Sequence, residues 1–295
     1  MKNFIYCTII GLFISTTING QVLIKTEHIG SSSYKNEEGE KTGGKGGLTA
    51  THANFNIPIS VKVKDQKVKA WSIALGGTYA SFNNKHLAKD ESLSEILNAQ
   101  LGLVHLRPIG KRWSIMANAG VAWLTADLKR VSGKSILGQG GVLFIRHEKH
   151  NINWGFGVSL NNMLGYPMIF PSLYFDWKLE GRYSVNASLH NSVELAASVK
   201  LLKFMKLGIT SQLSGLGAAV KHNGKDMIFT NQYAYAGLQP ELVFGKVSIP
   251  IIIGVTFARE AFFQDRTIKA MFENRDDNPR FGVAPYYSIG FKYGF

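Results

Sequence analysis

The sequence predicts an all-β fold, a transmembrane antiparallel up-and-down β-barrel, and three observations carry that prediction. Segments of about ten residues with a strict period of two recur from residue 47 to the last residue, the length at which tilted strands cross a bilayer. The non-greasy face of these segments is dominated by Gly, Ala, Ser and Asn. No run after the first twenty residues has the 18 or more apolar residues of a membrane helix.

The chain opens with the three parts of an export signal: Lys2 as the only charge, an apolar stretch over 4–14, and small polar residues over 15–20. That apolar stretch is too short to cross a bilayer, and cleavage is expected between Gly20 and Gln21. The mature chain then holds no cysteine, because Cys7 leaves with the signal. An exported protein without disulfides must hold itself together by a core or by a dense backbone hydrogen-bond network.

The alternation is clearest at the end. Phe295, Tyr293, Phe291, Ile289, Tyr287, Pro285, Val283 and Phe281 form one face, and Gly294, Lys292, Gly290, Ser288, Tyr286, Ala284 and Gly282 the other. The same pattern sets Ile249, Ile251, Ile253 and Val255 against Pro250, Ile252, Gly254 and Thr256, and Trp154, Phe156 and Val158 against Gly155, Gly157 and Ser159. A water-soluble sandwich would carry Lys, Glu and Thr on its outer face. Aromatic residues gather at segment ends (Trp113 with Trp123, Phe175 with Trp177, Tyr293 with Phe295), as interfacial girdles do. Lipid cannot satisfy an open strand edge, so the sheet must close.

The strands fall at 21–35, 47–64, 68–81, 95–107, 112–124, 138–147, 152–163, 169–179, 182–190, 193–202, 204–213, 228–244, 247–259 and 281–295, fourteen in all. Twelve is the alternative, because 21–34 is polar and weakly patterned and 182–213 can be divided differently. The organisation is therefore a signal peptide at 1–20, an N-terminal strand or plug segment with the first loop at 21–46, and the barrel at 47–295. Short connections belong in the periplasm, and the longer ones at 36–46, 82–94, 125–137, 214–227 and 260–280 outside.

The formal net charge of +13 does not argue for nucleic-acid binding in this context. Lys2 leaves with the signal and the five long loops, once Glu95 is included, carry no net charge as a group, so the excess sits on strands and turns, notably Lys62, Lys64, Lys67, Lys69, Arg107, Lys111, Arg112, Lys200, Lys203 and Lys206. These residues suit a snorkelling belt at the headgroups, with a cationic lumen as the alternative.

Motifs for chemistry are sparse. The Gly-rich stretch at 39–46 lacks the Ser/Thr after Lys45 that a phosphate loop needs. The eight His residues show no metal-ligand spacing, and His105 has no Ser or Asp beside it. No catalytic residue, metal or cofactor is expected. The loop from Arg259 to Arg280 holds ten charges of both signs among aromatic residues. If it folds inward, Asp265, Arg266, Lys269, Glu273, Arg275, Asp276 and Asp277 are the candidates for a constriction.

Ser288, Gly290, Tyr293 and Phe295 resemble the C-terminal assembly signal of bacterial outer-membrane proteins: a polar residue, Gly two later, then alternate hydrophobics ending in Phe. With the signal ending in Gly-Gln and the turn at 165–171 into an aromatic strand, the chain resembles outer-membrane β-barrel families of Bacteroidota with no assigned activity. The resemblance implies the outer membrane as location, with its lipids and the barrel-assembly machinery as partners. For function, a passive channel or small-solute transporter comes first, because small inward residues leave space. The alternative is a structural or surface-interaction barrel with a closed lumen, and an outer-membrane enzyme comes last.

Overall fold

The computed structural model describes residues 20–36, 38–64, 67–87, 93–126, 133–149, 151–162, 167–189, 192–272 and 279–294. They form one closed antiparallel sheet. Its strands are β1 (Gln21–Lys35), β2 (Lys41–Lys64), β3 (Lys67–Lys85), β4 (Glu95–Pro108), β5 (Trp113–Thr125), β6 (Ile136–Lys149) and β7 (Ile152–Asn161). These continue as β8 (Met168–Leu179), β9 (Tyr183–Leu189), β10 (Val193–Leu202), β11 (Met205–His222), β12 (Lys225–Phe244) and β13 (Val247–Asp265). After the helical turn α1 (Ile268–Phe272), β14 (Arg280–Phe281) and β15 (Ala284–Tyr293) run as two halves of one final strand, giving a fourteen-stranded barrel.

The seam lies between β1 and β15, paired from Val22↔Tyr293 to Ile29↔Tyr286. Residues 21–35 are thus a wall strand, hydrogen-bonded on both sides, and not a plug segment. Its weak patterning has a physical cause, because Lys25, Glu27, Ser32 and Tyr34 all point into the lumen. A register shift between Ile29 and Ser32 resets which residues face inward.

The alternation marks lipid and lumen faces as expected. Phe156, Ile209, Ile253 and Ile289 are 51%, 61%, 53% and 56% exposed, all on the outer wall. Near the periplasmic rim Trp113 meets Trp154 edge-on at 5.8 Å, with Arg146 over both rings, a local piece of aromatic girdle. A register shift between Pro58 and Ser60 turns the Lys62↔Lys69 and Lys64↔Lys67 pairs to the same side as Trp71, outward. The register therefore supports the headgroup belt over a cationic lumen for these four lysines.

Inward glycines set the curvature. A Cβ at Gly157 would land on the carbonyl oxygen of Val142, and one at Gly254 on that of Ala236, so these strands approach closely only because no side chain intervenes.

The expected long loops are shorter than their sequence suggested. β2 begins at Lys41 and β13 continues to Asp265. The 214–227 segment is not a loop: β11 and β12 pair without interruption to His222↔Lys225 around Asn223-Gly224, whose φ values of 49° and 79° are those of a two-residue hairpin turn. The end of this hairpin leaves the wall and leans across the external mouth. Asn98 on β4 donates to the Gly217 carbonyl at 3.0 Å, and Ala219 bridges to Thr125 on β5, strands far from β11 in sheet order.

Replacing outward Ile253 or Phe156 with Arg should cost about 2–4 kcal/mol if the site lies near the bilayer midplane, read from urea-dependent refolding into lipid vesicles. The same change at inward Ser198 should lack that lipid-transfer cost. Equal penalties on both faces would show that the alternation is not a lipid boundary.

Candidate functional site

The inner wall is of two kinds. Across β1–β4 and the external halves of β11–β13 and β15, inward side chains fill the lumen: Ile29, Leu48, Phe82, Ile96, Leu216, Phe229, Tyr233 and Tyr286 belong to one buried cluster. Phe82 meets Phe229 edge-on at 5.8 Å, joining β3 to the leaning hairpin. On the other wall many inward residues of β7–β10 are small or polar and half-buried, namely Asn153, Ser159, Ser172, Asp176, Ser184, Asn186, Glu194 and Ser198, beside the buried Phe170, Tyr174 and Ser188. An inward side chain on this wall gains exposure from space inside the barrel or, near a strand end, from the rim.

Within the filled part sits a charged hub. Glu27 on β1 has 0% side-chain exposure and accepts from four groups. Oε1 receives His52 Nε2 at 2.8 Å and the Tyr233 hydroxyl, while Oε2 receives Lys25 Nζ at 2.8 Å and the Tyr286 hydroxyl at 2.7 Å. The other ring nitrogen of His52, Nδ1, pairs with the Thr78 hydroxyl at 2.9 Å. Tyr286 stacks on Tyr235 at 4.2 Å, and Tyr235 donates to Gln212, which donates to Ser192. One carboxylate thus ties β1, β2, β12 and β15 together beside the seam. A buried ion pair is tolerated only when further hydrogen bonds satisfy its remaining lone pairs, and here they do.

Sequence reasoning missed this hub. The only available signal was Lys25-x-Glu27 in a polar strand, and its partners come from residues 52, 233 and 286.

The predicted constriction residues are only partly brought together. Asp265 and Lys269 are exposed at the external end. Half-buried Arg266 reaches across the mouth to the Asn162 carbonyl at 3.4 Å. Glu273, Arg275, Asp276 and Asp277 lie outside the described residues. The part of the chain observed crossing the mouth is chiefly the β11–β12 hairpin, which the sequence reading took for an external loop. In the assembly signal, Ser288 and Gly290 face inward and Tyr293 outward, and Phe295 lies outside the described residues.

One polar chain has the order of a hydrolase relay, although residue spacing alone gave no sign of it: Ser114 Oγ meets His147 Nε2 at 2.9 Å, and His147 Nδ1 meets Asn153 Oδ1 at 2.7 Å. Ser114 is 7% exposed and held in the ladder between Pro108 and Ile145, so the chain reads first as a polar tie between β5, β6 and β7. Among the described residues no group of His, Cys, Asp and Glu is placed to hold a metal ion.

The model of one family, described as "Domain of unknown function (DUF6268)", matches residues 16–294. No curated protein matches. Solved structures with similar folds include the translocator domain of the autotransporter NalP from Neisseria meningitidis, at 12% identity and TM-score 0.37, covering 96% of this chain and 91% of that one. They also include a TodX monoaromatic hydrocarbon channel deletion mutant, at 9% identity and TM-score 0.46, covering 95% and 91%. An outer-membrane channel from Pseudomonas putida F1 matches at 9% identity and TM-score 0.42, covering 95% and 97%.

Replacing Glu27 with Ala strands a lysine, a histidine and two tyrosine hydroxyls, and should destabilise the barrel by about 3–5 kcal/mol, measured by denaturant refolding and heat-modifiable mobility. Glu27→Gln keeps both acceptor and size and should cost less. A neutral effect of Glu27→Ala would show that the hub does not hold the seam.

Proposed function

The chain belongs to the family described as Domain of unknown function (DUF6268), and we propose that this outer-membrane β-barrel is a passive channel for small polar solutes, with an external mouth narrowed by the β11–β12 hairpin. The observation that carries the reading is the half-buried polar wall of β7–β10. A lumen packed shut on every side would leave those serines, asparagines and carboxylates without exposure. Beside that wall, Asn186 Oδ1 and Gln139 Oε1 lack a hydrogen-bond partner among the described residues, which fits a lumen that holds water.

The same proposal includes export by a signal peptide cleaved near Gly20 and Gln21. It is supported by the start of β1 at Gln21, whose side chain bonds the Gly294 carbonyl across the seam at 3.3 Å. Insertion by the barrel-assembly machinery through Ser288, Gly290, Tyr293 and Phe295 belongs with it. A second reading, a structural barrel with a closed lumen, is favoured by the apolar cluster between the hairpin and β1–β4.

Single-channel recording separates the two. Removing residues 217–230 and rejoining the strands through an Asn-Gly turn should raise conductance several-fold, an order-of-magnitude expectation for a widened constriction. Near-zero conductance both before and after the deletion would overturn the channel and leave the closed barrel.

A further inference from the structure

We propose that Arg259 is the anchor of an internal oxyanion site at the external end of the lumen, taking a carboxylate or phosphate group. The channel reading is not a premise of this. Arg259 is 0% exposed. It is turned inward by a bulge at Ala258, whose φ of 52° accompanies the register shift between Gln232 and Ala234. Its Nη1 donates to the Gly46 carbonyl at 3.0 Å, while Nε and Nη2 have no hydrogen-bond partner among the described residues.

Neither nearby carboxylate balances the charge. Glu27 is taken up by Lys25, His52 and two tyrosines. Glu260 follows Arg259 in the strand, so its side chain leaves the other face, where it accepts from Gln232 at 2.7 Å. The Phe281 ring lies 4.1 Å from Cζ and returns part of the lost hydration. It does not replace a counter-charge, because removing a cation from water costs more than one ring face returns.

The shape of the vacancy in bonding, not only the charge, selects the ligand. The Nε–H and Nη2–H bonds run parallel along one edge of the guanidinium, the edge that grips two oxygens of a carboxylate or phosphate at once. Diagonally across the β12–β13 pair lies Asn231, 1% exposed, with both side-chain polar atoms unpartnered. On β1, one strand beyond β14 from Arg259, Ser32 Oγ, from a residue 7% exposed, is also unpartnered among the described residues. Arg259 and Asn231 supply three donors, Ser32 a fourth; all three residues are buried, and Phe281 covers the guanidinium. Entry of the anion therefore requires that cover to lift.

The test uses the full barrel refolded into neutral-lipid vesicles, with the midpoint of its heat-modifiable transition followed at constant ionic strength. Chloride is exchanged stepwise for acetate in one arm and inorganic phosphate in the other. A saturable rise of several degrees with either anion is expected for the wild type and should vanish in Arg259→Gln. Asn231→Ala should keep the chloride midpoint close to wild type and weaken the anion response several-fold, which keeps the test open should Arg259→Gln fail to fold. A rise that does not saturate, no rise in either arm, or an unchanged response in Asn231→Ala would overturn the site.

Discussion

The pairing of β1 with β15 is the constraint on which the rest of the structure depends. In hydrocarbon no water meets an unpaired backbone N–H or C=O, so a sheet that spans a bilayer has to return to its own first strand. That obligation explains why a strand as polar as β1 belongs to the wall. It is held on both sides by backbone bonds that make no demand on side-chain hydrophobicity. Freed from the need to be greasy, its inner face carries Lys25 and Glu27, and their partners come from the strands next to the seam.

Charge inside the barrel is treated in two ways. Glu27 is surrounded by four donors and needs nothing more. Arg259, at the other end of the same apolar cluster, has one carbonyl and one ring face. The low polarity of the surroundings strengthens the first arrangement and penalises the second. The two sites follow one rule with opposite outcomes, and the contrast directs attention to Arg259 over any of the surface charges.

Much of the barrel could be read before the structure, because period-two alternation is a local property and survives wherever one face meets lipid. The boundaries of β10 were read exactly as they stand, and those of β4 and β8 to within a residue. The reading failed where strands leave the bilayer. On β11 three successive residues, Leu216 to Ala218, are all buried, so the alternation ends there. Asn223-Gly224 was nevertheless a legible hairpin signal, and it marks the turn. The hub at Glu27 was not legible, since its four donors are separated by up to 259 residues in sequence and meet only through the register. The Ser114–His147–Asn153 chain was hidden for the same reason, being a diagonal contact across three strands.

The uneven strand lengths explain which way the mouth closes. β7, β8, β9 and β10 have 10, 12, 7 and 10 residues, close to the minimum of about 9–11 that crosses a bilayer. β11, β12 and β13 have 18, 20 and 19, so they rise above the membrane with backbone edges and apolar side chains still to satisfy. The cheapest cover is the barrel's own mouth. Leu216 and Phe229 turn onto Phe82 and Ile96, Gly217 meets Asn98, and Arg266 reaches Asn162 at the top of the short arc. The tall arc thereby spends its apolar surface on the β1–β4 side. The short arc opposite is too low to join that cover, and its inner face keeps many small and polar residues that stay half-buried.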